Sequence, residues 1–136
     1  MENRTKRFLI KARLEKAHDD LITANDMLAE DHFRGAINRA YYTVFHAASA
    51  ALLWLNIERA KHSGVQSAFG EFLIKSGIIE PEFGKIFIEI YKAREEQDYD
   101  LLAVPVGPVD AGQIVQNADR FIERVESYLR DMGAIE

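Results

Sequence analysis

A chain of 136 residues, 48% apolar and 29% charged, fits a single globular domain and excludes disorder. A formal net charge of −5 sets the molecule as a whole against polyanions, so any phosphate contact must be local. With no cysteine there is no disulfide framework or thiolate metal site, and the longest apolar run, residues 47–55, is far short of the ~20 that span a bilayer; a cytoplasmic protein with no membrane association is expected.

The first residues, from Met1 to Arg7, are basic like the start of a secretion signal, but Lys11, Arg13, Glu15 and Lys16 break up any apolar segment behind them. Arg4, Lys6, Arg7, Lys11, Arg13 and Lys16 stand against Glu15 alone, a pattern that reads as a solvated helix face. Ile10, Leu14, Ala17, Leu21, Ala24 and Leu28 then recur every three to four residues, with Lys16, Asp19 and Asp20 off that stripe, which predicts a first helix over about 5–29. Asp31 is placed to cap a second helix that runs to about residue 56. Ser63 opens a short third helix carrying Val65, Phe69, Phe72 and Leu73, and Gly77 stops it. Pro81 suits the first turn of a fourth helix ending near residue 98. Two prolines and a glycine forbid a regular element over residues 101–108, predicting an ordered apolar loop packed on the bundle. Asp110 caps a last helix whose period holds until Gly133. No period-two stretch occurs, so the expected fold is all-α: one domain over residues 1–136, an up-and-down bundle of four long helices plus a short one.

Residues 39–55 are apolar on nearly every side of a helix, so this segment belongs at the centre. Arg39, Tyr42, His46 and Ser49 nevertheless share one face of it. Arg39 and His46 lie about 10.5 Å apart along the axis and do not attract each other, yet both can donate to one anion between them, with the Tyr42 hydroxyl in the intervening turn. A phosphate fits that role. If it belongs to RNA, His46 can act as general base on a 2′-hydroxyl while Arg39 meets the developing charge, without a metal or other cofactor. The plainer reading pairs Arg39 with an acid such as Asp98 and leaves His46 as a satisfied core histidine. Asp98 also stands one turn from Arg94, so one of the two arginines is left for a ligand. His62, just before Ser63, sits at a helix start where backbone N–H groups favour anions, although a loop histidine without a role is the simpler reading; His18 and His32 read as surface residues, and Trp54 as core or interface.

The run from Ala36 to Ala48, with Arg39, Tyr41, Tyr42, Phe45 and His46, resembles the arginine-tyrosine-tyrosine-phenylalanine-histidine pattern of the HEPN domain. Arg94, followed after three residues by Asp98 and Tyr99, resembles the second signature of the same branch, and His62-Ser63-Gly64-Val65 also fits it. The resemblance implies an all-helical homodimer, often found beside a minimal nucleotidyltransferase as a toxin–antitoxin-like pair. It also implies a metal-independent ribonuclease site in which an arginine and a histidine four to six residues apart meet their copies across the dimer. Six residues separate Arg39 from His46. The partner-modified tyrosine of the best-known toxin branch has its counterpart here in Ala48.

Two functions therefore stand open. One is a toxin-like subunit that binds nucleotide or RNA phosphate through Arg39, Tyr42, His46 and Arg94, supported by Asp98, Tyr99 and His62, with ribonuclease chemistry at Arg39 and His46. The other is a non-catalytic helical dimer that serves only as the interaction subunit of a nucleotidyltransferase. The homodimer is expected in either case, because the second helix carries more apolar surface than one small bundle covers.

Overall fold

The computed structural model describes residues 2–136; Met1, and with it the first residue of the basic N-terminal segment, lies outside the described residues. Five α-helices follow one another: α1 (Asn3–Ala29), α2 (Phe33–Trp54), α3 (His62–Phe69), α4 (Pro81–Tyr99) and α5 (Pro108–Asp131). A wider π-helical turn, Gly70–Ile74, prolongs α3. Among the described residues there is no strand, and no helix is long and apolar enough to cross a membrane. The fold is the expected all-α bundle of four long helices and a short one.

α2 packs against α1, α3, α4 and α5, and Tyr41, Ile37 and Leu52 within it are almost inaccessible to solvent. Both its apolar faces are thus covered inside one chain, so the excess that argued for a second copy is absorbed by α2's own neighbours. Opposite its middle, Phe69, Phe87 and Phe121 bring α3, α4 and α5 together with ring centroids 5.1–5.8 Å apart.

Side-chain pairs give the helix directions. Lys6 meets Trp54, Arg13 meets His46 and Asp20 meets Arg39, so α1 and α2 run antiparallel with polar rungs every seven residues of α1. A fourth rung closes the ladder, where a Cβ on Gly35 would stand 2.7 Å from the Met27 sulfur. Asn38 with Asp98 and Tyr42 with Arg94 set α4 antiparallel to α2, and Arg120 with Glu82 followed by Arg124 with Glu80 sets α5 antiparallel to α4.

Several helix ends differ from expectation. Asp31 does not cap α2; it takes the left-handed conformation (φ 62°) that ends α1, so that His32 N–H reaches the Met27 carbonyl and Asp31 N–H the Leu28 carbonyl. A three-residue link leaves no room for an extended cap as well. Asn56 (φ 62°) ends α2 two residues short of expectation by the same device, and Gly133 (φ 74°) ends α5. α3 begins at His62 rather than Ser63, after Lys61. Asp110 sits inside the first turn of α5 instead of capping it; Gly107 and Pro108 open that helix, and the carboxylate faces its positive end.

The loop after α4 is ordered but not packed as expected. Leu101 is 97% exposed and Leu102 93%, with Val104 similarly open. Polar contacts hold it instead: Gln97 donates to the Val104 carbonyl and accepts from Val106 N–H, while Asp100 accepts from Leu102 N–H. The loop arches over a cavity of about 790 Å³ that it shares with Met27, Phe33 and Gly35, and it turns Ala103 and Val106 toward the bundle while Leu101 and Leu102 stay in solvent.

Candidate functional site

The polar stripe of α2 faces two ways. Arg39 and His46 turn toward α1, and Tyr42, between them, reaches toward α4. The anion that the spacing of Arg39 and His46 calls for is present, and it is a side chain of α1: Asp20 accepts from Arg39 at 3.0 Å through Oδ1, while Oδ2 stands 3.7 Å from His46 Nε2. Arg39 is therefore paired with Asp20, not with Asp98. Its Nε and its second terminal nitrogen donate to Asn38 Oδ1 at 3.1 and 2.7 Å, and its guanidinium lies 4.9 Å from the centre of the Tyr42 ring. With planar contacts on three sides, the guanidinium has one fixed orientation and remains about one-third exposed.

His46 is 8% exposed. Arg13 approaches its Nδ1 to 2.9 Å, and because an arginine nitrogen can only donate, Nδ1 carries the lone pair and Nε2 the proton. Burial, then the charges of Arg13, Lys16 and Arg39, lower its pKa to about 4, so the ring is neutral at neutral pH. Burial pushes the Asp20 carboxyl above its ordinary range against the opposing pull of Arg39.

Arg94, 8% exposed, is the second arginine of this region and the buried one. It donates to the Tyr99 hydroxyl at 3.1 Å and the Tyr42 hydroxyl at 3.4 Å, and it faces Asp98 at 3.4 Å and Glu95 at 3.3 Å. Two carboxylates and three aromatic faces surround it, so Arg94 supports Tyr42 and is not itself open to a ligand. Asp98 joins the two arginines indirectly, since its Oδ2 accepts from Asn38 Nδ2 at 2.8 Å and Asn38 in turn orients Arg39. A continuous polar line thus runs from Arg94 through Asp98, Asn38, Arg39 and Asp20 to His46 and Arg13.

His62 stands apart from this line. Its Nδ1 lies 2.7 Å from the Tyr41 hydroxyl and its ring stacks on Phe45 at 4.5 Å, so it has a structural role, bracing α3 on α2. Ser49 also leaves the stripe, lining a separate cavity of about 440 Å³ with Arg13, Leu52 and Arg59. Arg13, Asp20 and Asn38 were not singled out from the sequence. The signal available was the seven-residue spacing of Lys6, Arg13 and Asp20, which puts all three on one side of α1. One of the basic residues read as a solvated face turns inward here: Lys6, 6% exposed, donates to the Trp54 carbonyl, while Arg13 stays exposed and reaches His46 from the surface. Among the described residues, no cluster of three or more His, Asp or Glu side chains is placed to hold a metal ion.

The chain is 32% identical over 123 residues to a Methanocaldococcus jannaschii protein named "Putative toxin MJ0605", an alignment that covers 90% of each. A second protein of that organism, "Putative toxin MJ0142", is 30% identical over 95% of this chain and 86% of its own length. A Thermotoga maritima protein named only "UPF0332 protein" is 30% identical over 86% of this chain and 88% of its own length. The HEPN domain model matches residues 10–128, from the first turns of α1 almost to the end of α5, and the chain belongs to the HEPN domain family.

Proposed function

We propose that this HEPN protein is a toxin-like subunit that binds the phosphate of a nucleotide or an RNA strand at Arg39, Tyr42 and His46. Two copies of the chain complete the site, and a minimal nucleotidyltransferase is its partner. The observation that carries this reading is the convergence of Arg39 and His46 on one carboxylate, which marks an anion position between them. Arg13 and Lys16 on the facing helix add positive charge at that position in a protein that is acidic overall. The relatives named as toxins point the same way.

On RNA, a neutral His46 serves as general base. Nδ1 takes the proton of a 2′-hydroxyl once Arg13 has turned from it to the phosphate; the 2′-oxygen attacks phosphorus, the bond to the 5′-oxygen breaks, and that oxygen takes a proton from water while His46 returns its own to solvent. The products are a 2′,3′-cyclic phosphate and a 5′-hydroxyl end, and Arg39 stabilises the charge that builds on the phosphoryl oxygens. The exposed Leu101, Leu102 and Val104 offer apolar surface for the second copy.

The test is cleavage of a labelled RNA by wild type, Arg39→Ala and His46→Ala, each with and without chelator. Either substitution is expected to lower the rate at least ~100-fold, with chelator without effect. Cleavage that survives His46→Ala, or that stops with chelator, refutes the chemistry. The closed state of His46, buried and held by Arg13, favours a second reading in which the chain is a non-catalytic interaction subunit. A stable complex with the nucleotidyltransferase and no cleavage by either would select it.

A further inference from the structure

We infer that Asp20 is a resident competitor for the anion seat, an autoinhibitory carboxylate that a phosphate must displace before the site works. The inference rests on the phosphate-binding reading above and adds its regulation. Asp20 places one oxygen on Arg39 and turns the other toward His46, the division of contacts that two phosphate oxygens would adopt. On Arg39, Nε and one terminal nitrogen are committed to Asn38, so NH1, the nitrogen Asp20 holds, is the one left to an incoming anion. The Arg39 side chain is about one-third exposed while that of Asp20 is 12% exposed, so a ligand reaches the guanidinium from solvent and the carboxylate blocks it from the protein side.

The seat is also rich in positive charge. Arg13, Lys16 and Arg39 act on the His46 ring, whereas the like charge of Asp19 presses on Asp20. Burial disfavours the charged form of Asp20, so its carboxylate is held there against its own hydration. A terminal or inorganic phosphate bears about −1.5 to −2 charges at neutral pH and, arriving from solvent, gains more from these cations than the singly charged carboxylate does.

Asp20→Asn tests this directly, because the amide oxygen still accepts from Arg39 and keeps it in place while the competing charge is gone. Inorganic phosphate is titrated calorimetrically into the full-length wild type, Asp20→Asn, Arg39→Ala and the double variant, with thermal melts confirming that each is folded; Asp20→Ser replaces any Asn variant that is not. Asp20→Asn is expected to bind phosphate about tenfold more tightly than wild type, a gain that disappears when Arg39→Ala is added. Binding by wild type that depends on Arg39 but is not tightened in Asp20→Asn overturns the competition and leaves the proposed site standing, with Asp20 a positioning group. A gain that survives Arg39→Ala places the anion elsewhere and overturns it too. If neither wild type nor Asp20→Asn shows Arg39-dependent binding, there is no seat to compete for, and the proposed function falls along with the competition.

Discussion

His46 provides the most quantitative expectation. Its pKa is about 4 in the folded chain against the ordinary 6.5, and burial is the main cause. A folded state that binds the proton less tightly than the unfolded chain is fully favoured above pH 6.5 and loses that advantage as pH falls toward 4. The gap corresponds to about 3 kcal/mol in all, of which about 2 kcal/mol is lost between pH 7 and pH 5. Asp20 opposes this, since a carboxyl raised in the folded state adds stability as pH falls, whereas His62, also lowered by burial, acts with His46. Comparison with His46→Gln isolates the histidine, because the amide can still accept from Arg13 but does not titrate. Thermal melts of both proteins at pH 7 and pH 5 should show wild type losing about 2 kcal/mol more than the variant, roughly 6–8 °C in Tm. Equal losses in the two, or a His46 ring that titrates near 6.5 by NMR, would show that the histidine is not desolvated as described.

Two further outcomes follow from the neighbouring contacts. Asp98→Asn removes the carboxylate 3.4 Å from buried Arg94; because Asp98 is 20% exposed and Arg94 keeps Glu95 and its aromatic faces, the loss should be about 2 kcal/mol rather than the 3–5 of a sealed pair, read as a lower urea midpoint at unchanged slope. Leu101→Ser with Leu102→Ser should leave the stability of one chain unchanged, since both side chains are more than nine-tenths exposed; light scattering at micromolar concentration should show a dimer becoming a monomer, and a dimer that persists would rule this loop out of the interface.

What the sequence carried and what it hid divide along physical lines. Helix periods, the centrality of α2 and the stops at Gly77 and Gly133 depend on local pattern and backbone freedom, and both are written into neighbouring residues. The joint demand of Arg39 and His46 for an anion was also legible, because it follows from two positions on one helix. Which anion answers it was not: Asp20 becomes the partner only when α1 docks on α2 in one register, and Asp98, on a signature motif, looked the stronger candidate. Asp31 misled for a related reason. The same short side chain serves as an N-cap or as a left-handed stop, and the length of the link between α1 and α2 decides between them. The loop of residues 101–106 was read as packed because it is apolar, but apolar composition says nothing about which of its side chains turn toward the bundle and which stay in solvent.

The first rung of the α1–α2 ladder turns the chain's single tryptophan into a built-in optical gauge. The Lys6 ammonium lies 4.5 Å and the Arg7 guanidinium 5.4 Å from the Trp54 ring centre, so the indole's emission senses two cations that stay in place only while the first turns of α1 remain docked. Trp54 stands about 22 Å along the α2 axis from Arg39. Fluorescence will therefore register fraying at the N-terminal end of α1 and stay nearly silent to an anion settling at Arg39, which lets one spectrum separate loss of the fold from occupation of the site.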